Sequence, residues 1–246
     1  MRFKIYQENG ALNSTSVFAA FSAGLKKLGH SIVDKDEDVC VIWSVLWQGR
    51  MRPNKVIYEN SIKNHRPIII IEVGNLKRGV TWRIGLNHIN NFGIFGNQQD
   101  LDLTRPQILG VSLQPVNHDR RQEILIACQH SASLQWCDQP SMEQWVKQTI
   151  VEIKKYSDRT IIVRPHPRSQ IREKFIDAVV DVPKKIQDSY DNFDINYNYH
   201  CVINHNSGPG VQAAIHGSPV ICDTSSLAHP VSEKWHGSRG AKPFYY

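Results

Sequence analysis

The sequence predicts an α/β protein built as two domains in series. Three features carry that reading: two almost wholly apolar runs at 39–45 and 67–73, a segment of different character at 98–122, and a second alternation of apolar runs and helical stretches beyond it. Strands as apolar as 39–45 are covered on both faces, as parallel sheets in α/β proteins require. A helical stretch between two such strands is the pattern of a βαβ unit.

The elements follow in order. Residues 3–6 form a short strand, and Asn13-Ser-Thr-Ser opens a helix reaching Leu28. Val17, Phe21, Leu25 and Leu28 mark one face of that helix, and Gly29 ends it. Residues 31–33 are a minor strand and 34–38 a charged turn. The run 39–45 is the next strand, 53–64 a helix, 67–73 a strand, and 90–95 a later strand of the same sheet. The second series has strands at 123–128, 160–163, 201–203 and 219–222. Its helices fall at 141–156, carrying Trp145, Ile150 and Ile153, at 169–176 and at 210–216. The expected domains are therefore 1–105 and 123–246, with 106–122, which holds Pro106 and Pro115, as linker.

A chain of 246 residues can bury about three quarters of its extended surface. Hydrophobic residues at 41% and charged residues at 21% exclude a disordered tail and a membrane protein. No apolar run approaches the ~18 residues of a membrane span, and the first residues lack the apolar stretch of a secretory signal. Twenty-nine Lys and Arg against 23 Asp and Glu leave +6, which favours anionic partners and leaves room for peripheral contact with a membrane surface. The five cysteines (Cys40, Cys128, Cys137, Cys201 and Cys222) form no CxxC pair and read as reduced, mostly buried thiols of a cytoplasmic protein.

In open α/β sheets ligands bind beyond the carboxyl ends of the strands. Four polar segments of the second half stand at such ends. Arg164-Pro-His-Pro-Arg168 alternates Arg164, His166 and Arg168 on a proline-stiffened loop, a preorganised set of cations suited to phosphate. Asn204-His-Asn-Ser-Gly-Pro-Gly210 precedes a helix, where free amides attract an anion; Asn206 or Ser207 could equally cap that helix. Gln129-His-Ser-Ala-Ser133 brings His130 and Ser133, and Asp223-Thr-Ser-Ser226 brings Asp223, Thr224 and Ser225, suited to hydroxyls of a base, ribose or sugar. Neither GxGxxG nor a Walker loop is present. In the first half Glu8 and Glu72 are candidate general bases. Arg50, Arg52, Lys77, Arg78 and Arg83 form a basic set near the same edges, and Trp43, Trp47 and Trp82 either stack on a ligand or belong to the core. No HExxH or CxxC set exists, so no tightly held metal is expected; a loosely held Mg on a diphosphate stays open.

Through Arg164-Pro-His-Pro and Asn206-Ser-Gly-Pro-Gly, residues 161–221 resemble the donor-binding half of GT-B glycosyltransferases. The likeness is to the capsule-polysaccharide, Kdo-transferase and bacterial sialyltransferase-like group, with its HP motif and later hydroxyl motif. That resemblance implies two Rossmann-like domains facing each other across a cleft, and a UDP- or CMP-linked nucleotide sugar as donor. It implies that His166 contacts the donor phosphate and that Ser207, with Asn206 and Gly208, binds the same region. Residues 129–133 would line the donor pocket and 223–226 lie near nucleoside or sugar. The acceptor would be a polysaccharide or, in a phage-type member, a hydroxymethylated DNA base. Two departures stand out: the second motif carries the single hydroxyl of Ser207, and after Pro230 the sequence is rich in Gly, Lys and Arg where GT-B proteins carry crossover helices. A non-catalytic or epimerase-like nucleotide-sugar-binding protein and a basic DNA-binding accessory protein are the rival readings.

Overall fold

The computed structural model describes residues 1–96, 102, 104–117, 122–189 and 192–233. Most of the tail noted above, residues 234–246, lies outside the described residues, as do 118–121 of the expected linker. By internal contacts the chain divides into two compact units. Met1–Gly74, Val80–Leu101 and Ala132–Leu134 make up the first, while Asn75–Gly79, Asp102–Ser131 and Gln135–Tyr246 make up the second. Both are mixed α/β with largely parallel sheets.

The first unit contains β1 (Arg2–Ile5), α1 (Thr15–Lys27), β2 (Ser31–Ile32), β3 (Val39–Trp43), α2 (Asn54–Lys63), β4 (Ile68–Val73) and β5 (Trp82–Leu86). The strands lie in the order β2-β1-β3-β4-β5. The first four run parallel, and β5 pairs antiparallel with β4. The side chains of β3 alternate between two cores. Val39, Val41 and Trp43 pack with Phe18 and Leu25 of α1, while Cys40 and Ile42 pack with Tyr58 of α2 and with Ile68 and Ile70. A strand covered on both faces has no polar side, which is why its sequence is a continuous apolar run.

Two expectations are corrected here. The later strand is β5, at Trp82–Leu86, and not 90–95; the latter is a turn closed by Gly93 N donating to Asn90 O, with Ile94 touching the sheet through a single bridge to Leu86. In α1 Phe18 and Leu25 are buried and Val17 and Phe21 pack against the same core, whereas Leu28 is exposed and outside the helix.

The second unit contains α3 (Arg105–Ile108), β6 (Ile124–Ala127), α4 (Met142–Lys154), β7 (Ile161–Arg164), β8 (Ala178–Val180), β9 (Lys184–Lys185), β10 (Phe193–Asp194), β11 (Cys201–Asn204), α5 (Gly208–Ile215) and β12 (Val220–Cys222). The main sheet has the order β12-β11-β6-β7-β8, parallel throughout, and β9 and β10 form a separate antiparallel pair. Ile124 and Ile126 face α4, through Trp145, Val146, Ile150 and Ile153, while Leu125 and Ala127 face Ala213 of α5. Ser141 caps α4, its hydroxyl accepting from Gln144 N at 3.2 Å.

No helix forms over 169–176. The chain there is extended and irregular, and Ile171 and Phe175 still pack on the α4 side of the core. The segment anchors at these two residues on a non-helical path that leads into the edge strand β8. Among the described residues no helix is long and apolar enough to cross a membrane.

Candidate functional site

Sheet order locates the site in the second unit. From β6 the chain builds outward through β7 and β8, then returns to the other side of β6 to build β11 and β12. The order reverses between β6 and β11. At such a switch point the loops following the two strands leave in opposite directions and open a crevice. The loops after β6, β7, β11 and β12 all stand at this sheet edge, and they carry His130, His166, Asn206 and Asp223.

The loop after β7 is a tight turn. Ser169 N donates to His166 O at 2.9 Å across Pro167 and Arg168. Arg168 N donates to His166 Nδ1 at 3.1 Å, so this nitrogen is the acceptor and Nε2 carries the proton in the neutral ring. His130 stands edge-on to His166 at 5.1 Å between ring centroids, and the hydroxyls of Ser131 and Ser169 lie 3.2 Å apart. Burial, then the charges of His130, Arg78 and Arg168, pushes His166 down to about 3. Burial and Arg168 lower His130 as well. Both rings are therefore neutral near pH 7, and each has one N–H able to donate a hydrogen bond without contributing charge. Charge comes from the exposed Arg168 and from Arg78, whose segment Asn75–Gly79 belongs to this unit.

Arg164 has a different place from the one expected. It is 6% exposed and turned inward. Its Nε and Nη2 donate to Asp181 Oδ2 at 3.0 and 2.8 Å, Nη1 to Asn196 O at 2.8 Å, and Nη2 also to Tyr199 Oη at 2.7 Å. The guanidinium also lies over the rings of Tyr197 and Tyr199. With its fork engaged in this way it holds β7 against the 196–199 loop, and the direct phosphate contact assigned to Arg164 is corrected to a structural one.

The loop after β11 is held from both sides. Asn204 Nδ2 donates to Ala127 O at 3.2 Å and to Ser207 Oγ at 2.8 Å. Asn206 Nδ2 donates to Ser225 Oγ at 2.8 Å, and Ser225 N donates to Asp223 Oδ1 at 2.7 Å. Asn206, Asp223 and Ser225 are thus one hydrogen-bonded set joining the loops after β11 and β12, while Thr224 is exposed. Ser207 occupies the cap position of α5 without making a cap bond, so the capping alternative fails for it and the first turn of the helix keeps its positive end. Gly208 is where Asn75 approaches: a Cβ there would lie 3.0 Å from Asn75 Oδ1. Gln212 Nε2 bonds the carbonyl oxygens of Asn75 and Leu76, which ties the segment bearing Arg78 to α5. His205 faces Trp136 edge-on, and burial lowers its pKa.

The remaining candidates lie in the first unit. Ser133 belongs there, bridged to Leu46, and not with His130. Glu8 is exposed on a short 3₁₀ turn after β1. Glu72 is half-buried at the end of β4; its Oε2 accepts from Ser44 Oγ at 2.6 Å and its Oε1 from Val73 N at 2.9 Å. Arg83 is the register partner of Glu72, and burial lowers its pKa against the opposing pull of that carboxylate. Trp43 and Trp82 pack together in the core at 5.2 Å, and Trp47 lies on Tyr58 at 5.8 Å, which settles the tryptophan alternative for Trp43, 2% exposed, in favour of the core. Ser44 was not singled out from the sequence; its one signal is a lone hydroxyl inside the run Val-Cys-Val-Ile-Trp-Ser-Val. Among the described residues no group of three or more His, Cys, Asp or Glu is placed to hold a metal ion.

The second unit's strand order is the 3-2-1-4-5 order of a doubly wound sheet, and the first unit follows the flavodoxin-like order 2-1-3-4-5 with an antiparallel edge. No protein-family model and no curated protein matches the chain. Among solved structures it is similar to the Thermosulfurimonas dismutans KpsC β-Kdo 2,4 transferase, with 13% identity, a TM-score of 0.48 and coverage of 90% of this chain and 79% of that one. The Thermosulfurimonas dismutans KpsC β-Kdo 2,7 transferase is similar at 13% identity, with a TM-score of 0.43 and coverage of 89% and 77%.

Proposed function

We propose that the chain is a glycosyltransferase that takes a sugar from a UDP- or CMP-linked donor and passes it to a hydroxyl of a glycan. The observation that supports this reading is the convergence, at the switch point of one parallel sheet, of a neutral histidine pair, exposed arginine charge and an uncapped helix start. In the reaction the acceptor oxygen attacks the anomeric carbon, and the bond from that carbon to the phosphate oxygen breaks with its electron pair leaving on phosphate. Arg168, Arg78 and the first turn of α5 offset the growing charge, and the Nε2–H of His166 donates to the departing oxygen. The Asn206–Ser225–Asp223 set meets hydroxyls of the donor. The acceptor proton goes to a carboxylate, for which Glu72 is the better held of the two candidates.

The test is turnover. Release of UDP, CMP or GDP from a panel of nucleotide sugars is measured with water, glycans and hydroxymethylated DNA offered as acceptors. One donor should be cleaved, and His166→Ala should slow its turnover by about 10²-fold or more, the scale of a lost leaving-group donor. A folded His166→Ala variant that turns over at the wild-type rate removes His166 from the mechanism. Binding of a nucleotide sugar with no release under any acceptor replaces the enzyme with a binding protein.

A further inference from the structure

Ser44 sits immediately after β3 with φ at +63°, a left-handed backbone that a non-glycine residue adopts only under strain. It is 3% exposed, and both its N–H and its hydroxyl are engaged. Its N–H donates to Ile71 O at 2.8 Å, extending the β3–β4 ladder by one rung. The left-handed turn then directs its hydroxyl sideways to β4, where Oγ donates to Glu72 Oε2 at 2.6 Å and accepts from Leu46 N at 3.1 Å. Glycine would occupy this backbone without strain, but it brings no hydroxyl.

The carboxylate is held at both oxygens. Oε1 takes the N–H of Val73, and Arg83 stands opposite, fixed by its own bonds to Val73 O at 3.2 Å and Ile89 O at 3.0 Å. A carboxylate offers about four lone-pair sites. Two are spent on Ser44 and Val73, and the half-buried group keeps the others for a further donor. A side chain with three rotatable bonds is thereby reduced to one orientation before any substrate arrives, and such preorganisation is what positioning contributes to rate.

We propose that Ser44 is a positioning residue for Glu72, its hydroxyl orienting the carboxylate that receives the acceptor proton. This rests on the glycosyltransferase reading with Glu72 as base. The acceptor O–H proton passes to a Glu72 oxygen as the new carbon–oxygen bond forms, and Ser44 itself neither gains nor loses a proton.

A double-mutant cycle tests it, using the full chain and whichever of the UDP-, CMP- or GDP-sugars is turned over. Glu72→Gln should lower kcat by about 10²-fold. Ser44→Ala should lower kcat by about 5- to 20-fold, the scale of one oriented hydrogen bond, with donor KM within about twofold of wild type. In the Glu72→Gln background Ser44→Ala should cost nothing further. Ser44→Gly, which relaxes the backbone, should lose kcat as Ser44→Ala does while melting no lower than wild type; it also guards against a misfolded alanine variant. Wild-type kcat in both folded Ser44 variants, or a loss that persists in the Glu72→Gln background, overturns the positioning role alone. Wild-type kcat in Glu72→Gln overturns the reading of Glu72 as base, and with it this inference.

Discussion

Burial and a neighbouring arginine act in the same direction on an imidazole, and both favour the neutral ring at pH 7. For His166 burial comes first and His130, Arg78 and Arg168 follow, which takes the ring to about 3. The unfolded chain protonates this histidine near its ordinary value of about 6.5, whereas the folded chain does so only near 3. Between those values the unfolded state binds the extra proton, so stability rises with pH there. The contribution is complete above about 6.5 and lost as pH falls toward 3, at no more than ~1.4 kcal/mol per pH unit. His166→Gln, which cannot titrate, should lose less stability than wild type between pH 7 and pH 5 in urea unfolding. An identical acid limb in the two proteins would contradict the buried neutral ring. The place of His166 at the sheet edge was legible in the sequence because it follows an apolar strand and stands between two prolines. Ser44 was not, since nothing local encodes a left-handed φ or a carboxylate arriving from the next strand.

At the scale of elements, the buried parallel strands were readable because both faces are covered and their sequences are almost wholly apolar. The edges were not readable. β8, β9 and β10 have two or three residues each and no alternation to detect, and β5 carries the polar and small residues of a strand with one partner. Around 169–176, where a helix was expected, Ile171 and Phe175 anchor an irregular path on the core. Arg164 belongs to this scale too, because it joins elements: β7 to the 196–199 loop and to Asp181 just after β8. Whether an arginine at a strand end turns inward or outward depends on acceptors that arrive from residues far along the chain. Arg164→Lys should therefore lower stability by about 1–3 kcal/mol, since an ammonium cannot reproduce the planar fork; the partial exposure of Asp181 keeps the figure from the upper range for buried pairs. The urea midpoint of unfolding reports it, and an unchanged midpoint would mean that the fork adds nothing to the packing of Tyr197 and Tyr199.

For the whole molecule, the net charge of +6 is a fact about encounter, while the site is a fact about one unit. Each unit has its own pair of cores, on the two faces of its own sheet. A ligand that binds only the native form of one of them stabilises that one by mass action, by about 2.7 kcal/mol at a hundred times its Kd. Hydrogen exchange separates the units without cutting the chain, because local openings report local stability. With UDP or CMP added, peptides covering 128–131, 165–169 and 204–211 should slow their exchange, while those over 39–43 and 68–73 keep their rates. The protection should weaken as salt is raised, because the exposed Arg168 and Arg78 meet phosphate in water, where a Debye length of about 8 Å at physiological ionic strength already screens them. Protection confined to 39–43 and 68–73 would move the nucleotide to the other switch point, between β1 and β3, and the assignment of donor and acceptor sides would exchange with it.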